Sequence, residues 1–186
     1  MFGTVLRTNV QGNGTVRVTP AAPLYPYGSQ VSIFALPAPG YYFSHWTNLL
    51  GVDITPSGRT ANPFRQRIAD ALPSLTAVFL PLPVGQNTLT VLVEGMGSVN
   101  VSPFSNRYPV SVVVTNRATP AAGQLFLGWS GDAAGTNSPL LVTMDQSPFN
   151  PVTLEPGGTI PVGRDPSMLL ASGTASGTCS FTKLNS

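Results

Sequence analysis

The sequence predicts a mostly β protein that consists of two tandem small β-rich modules and an extended C-terminal segment. Three observations support this prediction. Glycine and proline each occur 19 times among 186 residues, only 9% of the residues are charged, and part of the chain repeats itself. Frequent glycine and proline disfavour long helices, while 42% hydrophobic residues are enough for folded cores. Each module is expected to be β-grasp-like or a small sandwich.

The internal repeat relates residues 12–46 to residues 95–129 at a constant offset of 83, without a gap. Fourteen of these 35 positions are identical. The shared residues include a Gly-x-Gly sequence, a Tyr-Pro pair and a Phe-x-x-Trp sequence. Self-similarity at a fixed period indicates tandem structural units. We therefore assign residues 1–82 to the first module, 85–157 to the second, and 158–186 to the C-terminal segment.

Each module begins with two short runs of β-forming residues that are separated by glycines. Thr15–Thr19 alternates polar and apolar residues, which is the period of a half-buried strand, and Leu89–Val93 is apolar. Gly12 and Gly95 lie between such runs, so each module is expected to open with a β-hairpin. The prolines that follow the second run cannot donate to a ladder and are expected to end it.

Later elements follow from the same patterns. Further strands are predicted at Gln30–Leu36, Tyr41–Trp46 and Leu75–Phe79, and at Val110–Thr115, Gln124–Trp129 and Leu140–Met144. The Phe and Trp of the fourth strand are three residues apart, which predicts a bulge between them. Residues 64–71 have no glycine and are expected to form a short helical turn.

Repeated apolar positions predict the core residues of the two modules. They are Val16, Val18, Phe43, Trp46, Val99, Val101, Phe126 and Trp129. The two tryptophans also suit a second interpretation, because an exposed indole can stack on a sugar ring. In that case Tyr41, Tyr42, His45 and Trp46 of the first module would bind a glycan.

The order of motifs resembles the bacterial surface repeat that is related to the B repeat of internalin. In the second copy the resemblance lies in Gly95–Trp129, the following Ser-Gly-Asp, and Val142–Asp145. The first copy ends with a similar strand, Thr76–Phe79, whereas Pro148–Leu154 has two prolines where the second copy should end. The resemblance implies a non-enzymatic spacer, stalk or adhesive element of an exported or cell-surface protein, although no secretion signal is visible in the chain.

Scarcity of charge adds a hypothesis about assembly. Few charges on many strands favour pairing of strand edges between chains, so a homo-oligomer or extracellular fibre is expected, or else a partner at the cell surface. Met168, Leu169 and Leu170 form an apolar patch in the C-terminal segment, which would be a donated or docking strand. The net charge of +2 includes no basic run, so no nucleic acid is expected. No apolar run is long enough for a membrane span.

Candidate catalytic residues are few, so an enzyme is not expected and a hydrolase is the lesser alternative. His45 is the only histidine, and its counterpart in the second copy is Gly128. Cys179 is the only cysteine and has no activating base nearby in sequence. The loop 130–137 has a single carboxylate, which suits a turn held by its own side chains better than a calcium site. No metal or cofactor is expected.

Overall fold

The computed structural model describes residues 3–48, 59–68, 74–145 and 174–183. The chain divides into two compact units, unit 1 (Met1–Pro81) and unit 2 (Leu82–Ser186). Strands, and no helices, form the regular structure of the described residues. Unit 1 has the strands β1 (Gly3–Thr4), β2 (Thr8–Gln11), β3 (Gly14–Thr19), β4 (Tyr25–Pro26), β5 (Gln30–Pro37), β6 (Tyr41–Asn48), β7 (Phe64–Arg67) and β8 (Leu75–Pro81). Unit 2 has β9 (Gln86–Glu94), β10 (Gly97–Ser102), β11 (Tyr108–Pro109), β12 (Val113–Pro120), β13 (Gln124–Gly131), β14 (Leu140–Thr143) and β15 (Thr174–Lys183).

The described residues of unit 1 form two three-stranded sheets and one short two-stranded sheet. The strand orders are β2–β8–β6, β3–β5–β7 and β1–β4. In the first sheet β2 is parallel to β8, and β8 is antiparallel to β6. The buried core contains residues from both three-stranded sheets, such as Ile33 of β5 and Phe79 of β8. Unit 1 is therefore a small sandwich, which is one of the two module types that the sequence predicts.

The opening of each unit differs from the predicted β-hairpin. β2 and β3 are joined by a tight turn at Gly12 and Asn13, but β2 pairs with β8 whereas β3 pairs with β5. The hairpin prediction is wrong because the turn connects two sheets. Unit 2 has the same arrangement, since β9 and β10 also belong to different sheets. A positive φ at the first glycine suits either kind of turn, so the glycine pattern alone does not distinguish them.

Unit 2 repeats the topology of unit 1. Its sheets have the orders β10–β12–β14 and β11–β9–β15–β13. β15 occupies the place of β8, because it is parallel to β9 and antiparallel to β13. The register also agrees: Phe43 pairs with Phe79 in unit 1, and Phe126 pairs with Phe181 in unit 2. The predicted bulge is present at the same position of both units, after Phe43 and after Phe126.

The C-terminal residues therefore need a different assignment from the one the sequence predicts. Residues 174–183 are an interior strand of the four-stranded sheet of unit 2, and their partners belong to the same chain. The predicted boundary at residue 157 is corrected accordingly. Sequence comparison missed this strand because Leu75–Phe79 and Gly177–Phe181 share only the threonine and the final phenylalanine. The predicted apolar patch at 168–170 and the proline-containing segment 148–154 lie outside the described residues.

A second correction concerns the predicted helical turn at residues 64–71. Residues 64–67 form β7, which pairs antiparallel with β5 through Ile33 and Phe64. Phe64 and Gln66 are half-buried while Arg65 and Arg67 are exposed. This alternation is that of an edge strand, and tertiary pairing outweighs the helix propensity of Arg and Gln. Residues 69–71 lie outside the described part of the chain.

No helix in the described residues is long and apolar enough to cross a membrane.

We predict that unit 2 requires residues 174–183 to fold. A chain that ends at Gly173 lacks the strand between β9 and β13, so these two strands lose their shared partner. Loss of folding should expose Trp129, which is 6% exposed in the intact unit. Tryptophan fluorescence and amide NMR spectra should show an unfolded unit 2 beside an unchanged unit 1.

A chain that ends at Lys183 is the matched control, and it should retain both folded units. A cooperative unfolding transition of unit 2 in the chain that ends at Gly173 would contradict this assignment of β15.

Candidate functional site

The four residues proposed to bind a glycan lie on β6, but they do not share one face of the sheet. Tyr41 and Phe43 lie on the side of the core, and the bulge after Phe43 places Trp46 on that side too. Tyr42 and His45 lie on the outer side, opposite Leu80 and Val78 of β8 respectively. The structure therefore separates the predicted binding residues into two pairs.

Trp46 is a core residue with no exposed surface. Its relative exposure is 0%, and its ring lies 4.9 Å from that of Phe43. The indole Nε1–H donates to the carbonyl of Ala61 at 2.8 Å, so the polar atom is satisfied inside the unit. The interpretation of Trp46 as a sugar-stacking platform is corrected, because a buried indole cannot contact a ligand. Burial of such a ring stabilises the fold by roughly 2–3 kcal/mol.

Trp129 repeats this environment in unit 2. Its Nε1–H donates to the carbonyl of Asn137 at 2.8 Å, and its ring lies 5.4 Å from that of Phe126. The tryptophan, the phenylalanine before it and a carbonyl from the following loop thus form the same contact in both units. The four predicted valines are half-buried beside these cores: Val16 and Val18 in unit 1, and Val99 and Val101 in unit 2.

Tyr42, His45, Val78 and Leu80 lie on the outer side of β6 and β8, and we call them the Tyr42 face. Val78 is buried, with 5% of its surface exposed. Tyr42 is half-buried and Leu80 is 41% exposed. The His45 Nδ1 lies 2.9 Å from the Ser44 Oγ. Unit 2 has Leu125 and Gly128 at the positions of Tyr42 and His45. The fold does not require the aromatic and the imidazole, since unit 2 forms without them.

The candidate catalytic residues belong to separate elements of the two units. His45 is in unit 1, whose described residues include no carboxylate. Cys179 is in β15 of unit 2 and pairs in register with Trp129. Asp132 belongs to the loop after β13. No group of three or more metal-binding side chains occurs among the described residues.

Backbone hydrogen bonds close the loop 130–137, which contains the single carboxylate of Asp132. The Trp129 N–H donates to the Gly135 carbonyl at 2.7 Å, and the Gly135 N–H donates back at 3.2 Å. The Asn137 carbonyl accepts the Trp129 indole. The Ser138 hydroxyl bonds both backbone groups of Ala118, as Asn62 bonds those of Ala35 in unit 1. These contacts hold the tryptophan in place, which is a structural role.

Sequence analysis did not assign a role to the tyrosine of the repeated Tyr-Pro pair. The hydroxyl of Tyr108 donates to the Pro103 carbonyl at 3.1 Å and accepts from the Ser105 N–H at 3.0 Å. The hydroxyl of Tyr25 bonds Pro20 and Ala22 in the same way. Both rings are buried. The identity of this tyrosine in both copies, beside a strand-ending proline, was the signal that could have identified it.

Burial raises the pKa of the Tyr108 phenol above its usual value, and the hydrogen bond from the Ser105 N–H lowers it in part. Desolvation is the larger cause, because the phenolate loses its hydration inside the unit. The folded unit therefore favours the neutral phenol, which can both donate to the Pro103 carbonyl and accept from the Ser105 N–H.

Comparison with known proteins identifies a family and one partial relative. The family model described as the divergent InlB B-repeat domain matches residues 4–81 and 87–154. A shikimate dehydrogenase (NADP(+)) from Microcystis aeruginosa (strain NIES-843 / IAM M-2473) is 31% identical over 129 residues. That match covers 60% of this chain and 45% of the relative, so the chain spans less than half of the relative's length. No solved structure matches the chain.

We predict that Tyr108 makes the stability of unit 2 sensitive to alkaline pH. Its folded-state pKa is raised, so its contribution is fully present below the pKa of an unfolded tyrosine, about 10, and is lost as pH rises through the folded-state value. Urea unfolding monitored by tryptophan fluorescence, between about pH 8 and pH 11, measures this loss.

Tyr108→Phe is the comparison variant. At pH 8 it should be less stable by about 1–2 kcal/mol, because the two hydrogen bonds of the hydroxyl are lost. The stability difference between the two proteins should shrink above pH 10. A difference that stays constant over the whole range would contradict the prediction.

Proposed function

The chain belongs to the divergent InlB B-repeat family, whose repeats occur in bacterial surface proteins, and we propose that it is a structural module that withstands tension there. The observation that supports this proposal is the pairing of the first long strand of each unit with its last strand. In both units these two strands are parallel neighbours in one sheet. The proposed action is mechanical and requires no catalytic group.

Parallel pairing determines how a pulling force acts on unit 1. The chain enters β2 at Thr8 and leaves β8 at Pro81, and these two ends point in opposite directions along the sheet. A force applied through the chain therefore slides β2 along β8. Such a load acts on all hydrogen bonds of the pair together, whereas an antiparallel pair pulled from one end opens one bond at a time.

Unit 2 has the same geometry with a longer pair. Seven residues of β9 are in parallel register with β15, compared with four residues of β2 with β8. The longer pair distributes a load over more hydrogen bonds. Two such units in one chain are loaded in series, which is what a stalk or spacer at a cell surface requires.

An enzymatic role has less support. His45 is replaced by Gly128 in unit 2, so the module does not need an imidazole at this position. The dehydrogenase name of the matching relative does not extend to this chain. Dinucleotide sites use a glycine-rich turn before a helix that covers a parallel sheet, and the described residues form only strands. We therefore propose a non-enzymatic module.

The alternative that four residues of β6 bind a glycan has less support. It relied on Tyr41, Tyr42, His45 and Trp46 together, yet Trp46 is buried and Tyr41 packs against the core. Only Tyr42 and His45 of the four lie on the outer side of the sheet. The Tyr42 face is therefore a smaller aromatic surface than the sequence suggested.

Single-molecule force measurements with two attachment geometries test the mechanical proposal. Handles are attached to cysteines in a Cys179→Ser background, either at Val5→Cys and Val84→Cys or at Pro39→Cys and Val84→Cys. The first pair loads β2 against β8 in the sliding direction. The second pair opens β6 from β8 at the end where Tyr41 faces Pro81. All three attachment positions should be accessible, since Val5 is 56% and Val84 101% exposed and Pro39 is also exposed.

The sliding geometry should unfold unit 1 at a clearly higher force than the opening geometry. Forced unfolding is governed by the unfolding rate along the direction of pulling, so the two proteins can differ although their stabilities agree. Urea unfolding of both provides the control for equal stability. Equal forces in the two geometries, or a lower force in the sliding geometry, would refute the mechanical role.

Self-assembly through strand pairing is a second candidate, and one observation favours it. β13 is the last strand of its sheet in the described part of unit 2. It bears no charged residue, and its outward Leu125 and Leu127 are 50% and 51% exposed. Uncharged apolar edges of this kind promote pairing between chains. An assembly formed at β13 leaves β15 in its own unit, unlike the donated strand that the sequence predicts.

Light scattering over a range of protein concentrations tests this assembly. The unmodified chain should form larger species as its concentration rises, and Leu125→Lys with Leu127→Lys should abolish them because edge charges oppose pairing. Val113→Lys with Leu141→Lys is the matched control, since these side chains are 48% and 59% exposed on the other sheet. A monomer at all concentrations, or equal loss in both variants, would exclude assembly through β13.

A further inference from the structure

Three arginines that are distant in sequence lie on one face of unit 1. In the sheet β3–β5–β7, Arg17 is opposite Phe34, and Thr19 is opposite Ser32. Ser32 is in turn opposite Arg65, and Gln30 is opposite Arg67. Directly paired residues and residues two apart on a strand share a face, so all three arginines project from the same side. We call Arg17, Arg65 and Arg67 the Arg face.

The Arg face is the outer side of this sheet. The alternate residues of β5, such as Ile33, belong to the core, and Phe64 of β7 packs against that core. Arg17, Arg65 and Arg67 are all exposed. Neighbouring arginines on β7 are separated by about 7 Å and the outer strands by about 10 Å, because these are the spacings of alternate residues and of next-nearest strands. The charges are therefore distributed over an area that an extended polymer can cover.

Most side chains beside the arginines on this face are polar. Thr15, Thr19, Gln30 and Ser32 supply hydroxyl and amide groups on the same side. Phe34 is in the middle of the face but only 2% exposed. The described residues of this face therefore offer charge and hydrogen-bonding groups, and none of them is an exposed aromatic ring or large apolar group.

Charge is also distributed unequally between the two units. Unit 1 has five arginines and two aspartates, a net charge of +3, while unit 2 has a net charge of −1. The positions of Arg17, Arg65 and Arg67 in unit 2 are Asn100, Leu141 and Thr143, as the equivalent register positions show. The topology forms without these arginines in unit 2. Their presence on one face of unit 1 therefore calls for a reason other than folding.

We propose that the Arg face binds an acidic polysaccharide that bears carboxylate groups. A guanidinium presents a planar fork that matches a carboxylate, and spaced arginines can contact successive groups of one polymer. The threonine, serine and glutamine side chains between them match the hydroxyls of sugar rings. This inference goes beyond the mechanical role, and neither depends on the other.

Two other classes of polyanion fit the face less well. Single-stranded nucleic acid requires aromatic rings on which bases stack, and Phe34 is buried. An anionic membrane is bound by basic residues that accompany inserted apolar side chains, and the exposed large apolar residues of unit 1 lie elsewhere. Both classes serve as comparison ligands in the test.

The test measures binding of the whole chain to immobilised alginate, a carboxylate polysaccharide, by surface plasmon resonance. Dextran is the neutral control polymer, and single-stranded DNA and phosphatidylglycerol vesicles are the comparison ligands. The variant R17Q/R65Q/R67Q removes the Arg face. R7Q/R107Q/R117Q removes the same number of charges from other positions and is the matched control. Far-UV circular dichroism and urea unfolding establish that both variants are folded.

The unmodified chain should bind alginate and not dextran, and raising NaCl from about 0.05 to about 0.5 M should weaken binding through charge screening. R17Q/R65Q/R67Q should bind about tenfold or more weakly, because each exposed charge contact contributes a factor of a few. R7Q/R107Q/R117Q should stay within about twofold of the unmodified chain.

Three results would each overturn the proposal. They are absence of alginate binding, equal loss in both variants, and stronger binding of DNA or of the vesicles than of alginate. If R17Q/R65Q/R67Q does not fold, the single variants Arg65→Gln and Arg67→Gln on the edge strand β7 replace it. Each of them should also bind alginate more weakly than the unmodified chain.

Discussion

Each unit depends on its closing strand, which is β8 in unit 1 and β15 in unit 2. β8 lies between β2 and β6, and β15 lies between β9 and β13. In unit 1, β8 separates β2 from β6, and no direct pairing joins β2 to β6 among the described residues. The same strand supplies Leu75, Ala77 and Phe79 to the core. Removal of the strand therefore removes a sheet and part of the core together. The closing strand of unit 2 is far along the chain from β14, but its pairing with β9 and β13 identifies it.

The Gly-x-Gly turn is coupled to the closing strand by a close approach. A Cβ at Gly12 would collide with the backbone carbonyl of Phe79, and a Cβ at Gly14 would lie 2.6 Å from the Phe79 ring. Gly12 also has a φ of 86°. The two glycines therefore allow the chain to change sheets directly against Phe79. A hairpin would need the positive φ but not this contact, which explains why the turn pattern predicted the wrong kind of connection.

The sequence predicted much of the fold, because the repeat preserves the residues on which the geometry depends. The ungapped offset from 12 to 46 matched the strands and the Phe-x-x-Trp bulge of one unit to those of the other. It failed where the units differ. Unit 2 joins β14 to β15 through residues 144–173, whereas unit 1 joins β7 to β8 through residues 68–74. β8 and β15 share two of the five residues compared, and the longer connection shifts β15 away from the constant offset. Sequence comparison therefore does not detect that the two strands correspond.

Surface properties were harder to predict than the core, because strand pairing brings together residues that are far apart in the chain. Arg17 and Arg65 are 48 positions apart, and no basic run contains either. Only the register of β3, β5 and β7 shows that they share a face. The candidate glycan residues illustrate the opposite case, because four neighbours on β6 were divided by alternation and a bulge. Residues that are adjacent in the sequence therefore predicted a larger binding surface on β6 than the structure has. The Arg face was not predicted, because its residues are far apart in the sequence. In a repeat whose core positions are fixed by the fold, differences between the copies are the more informative guide to binding.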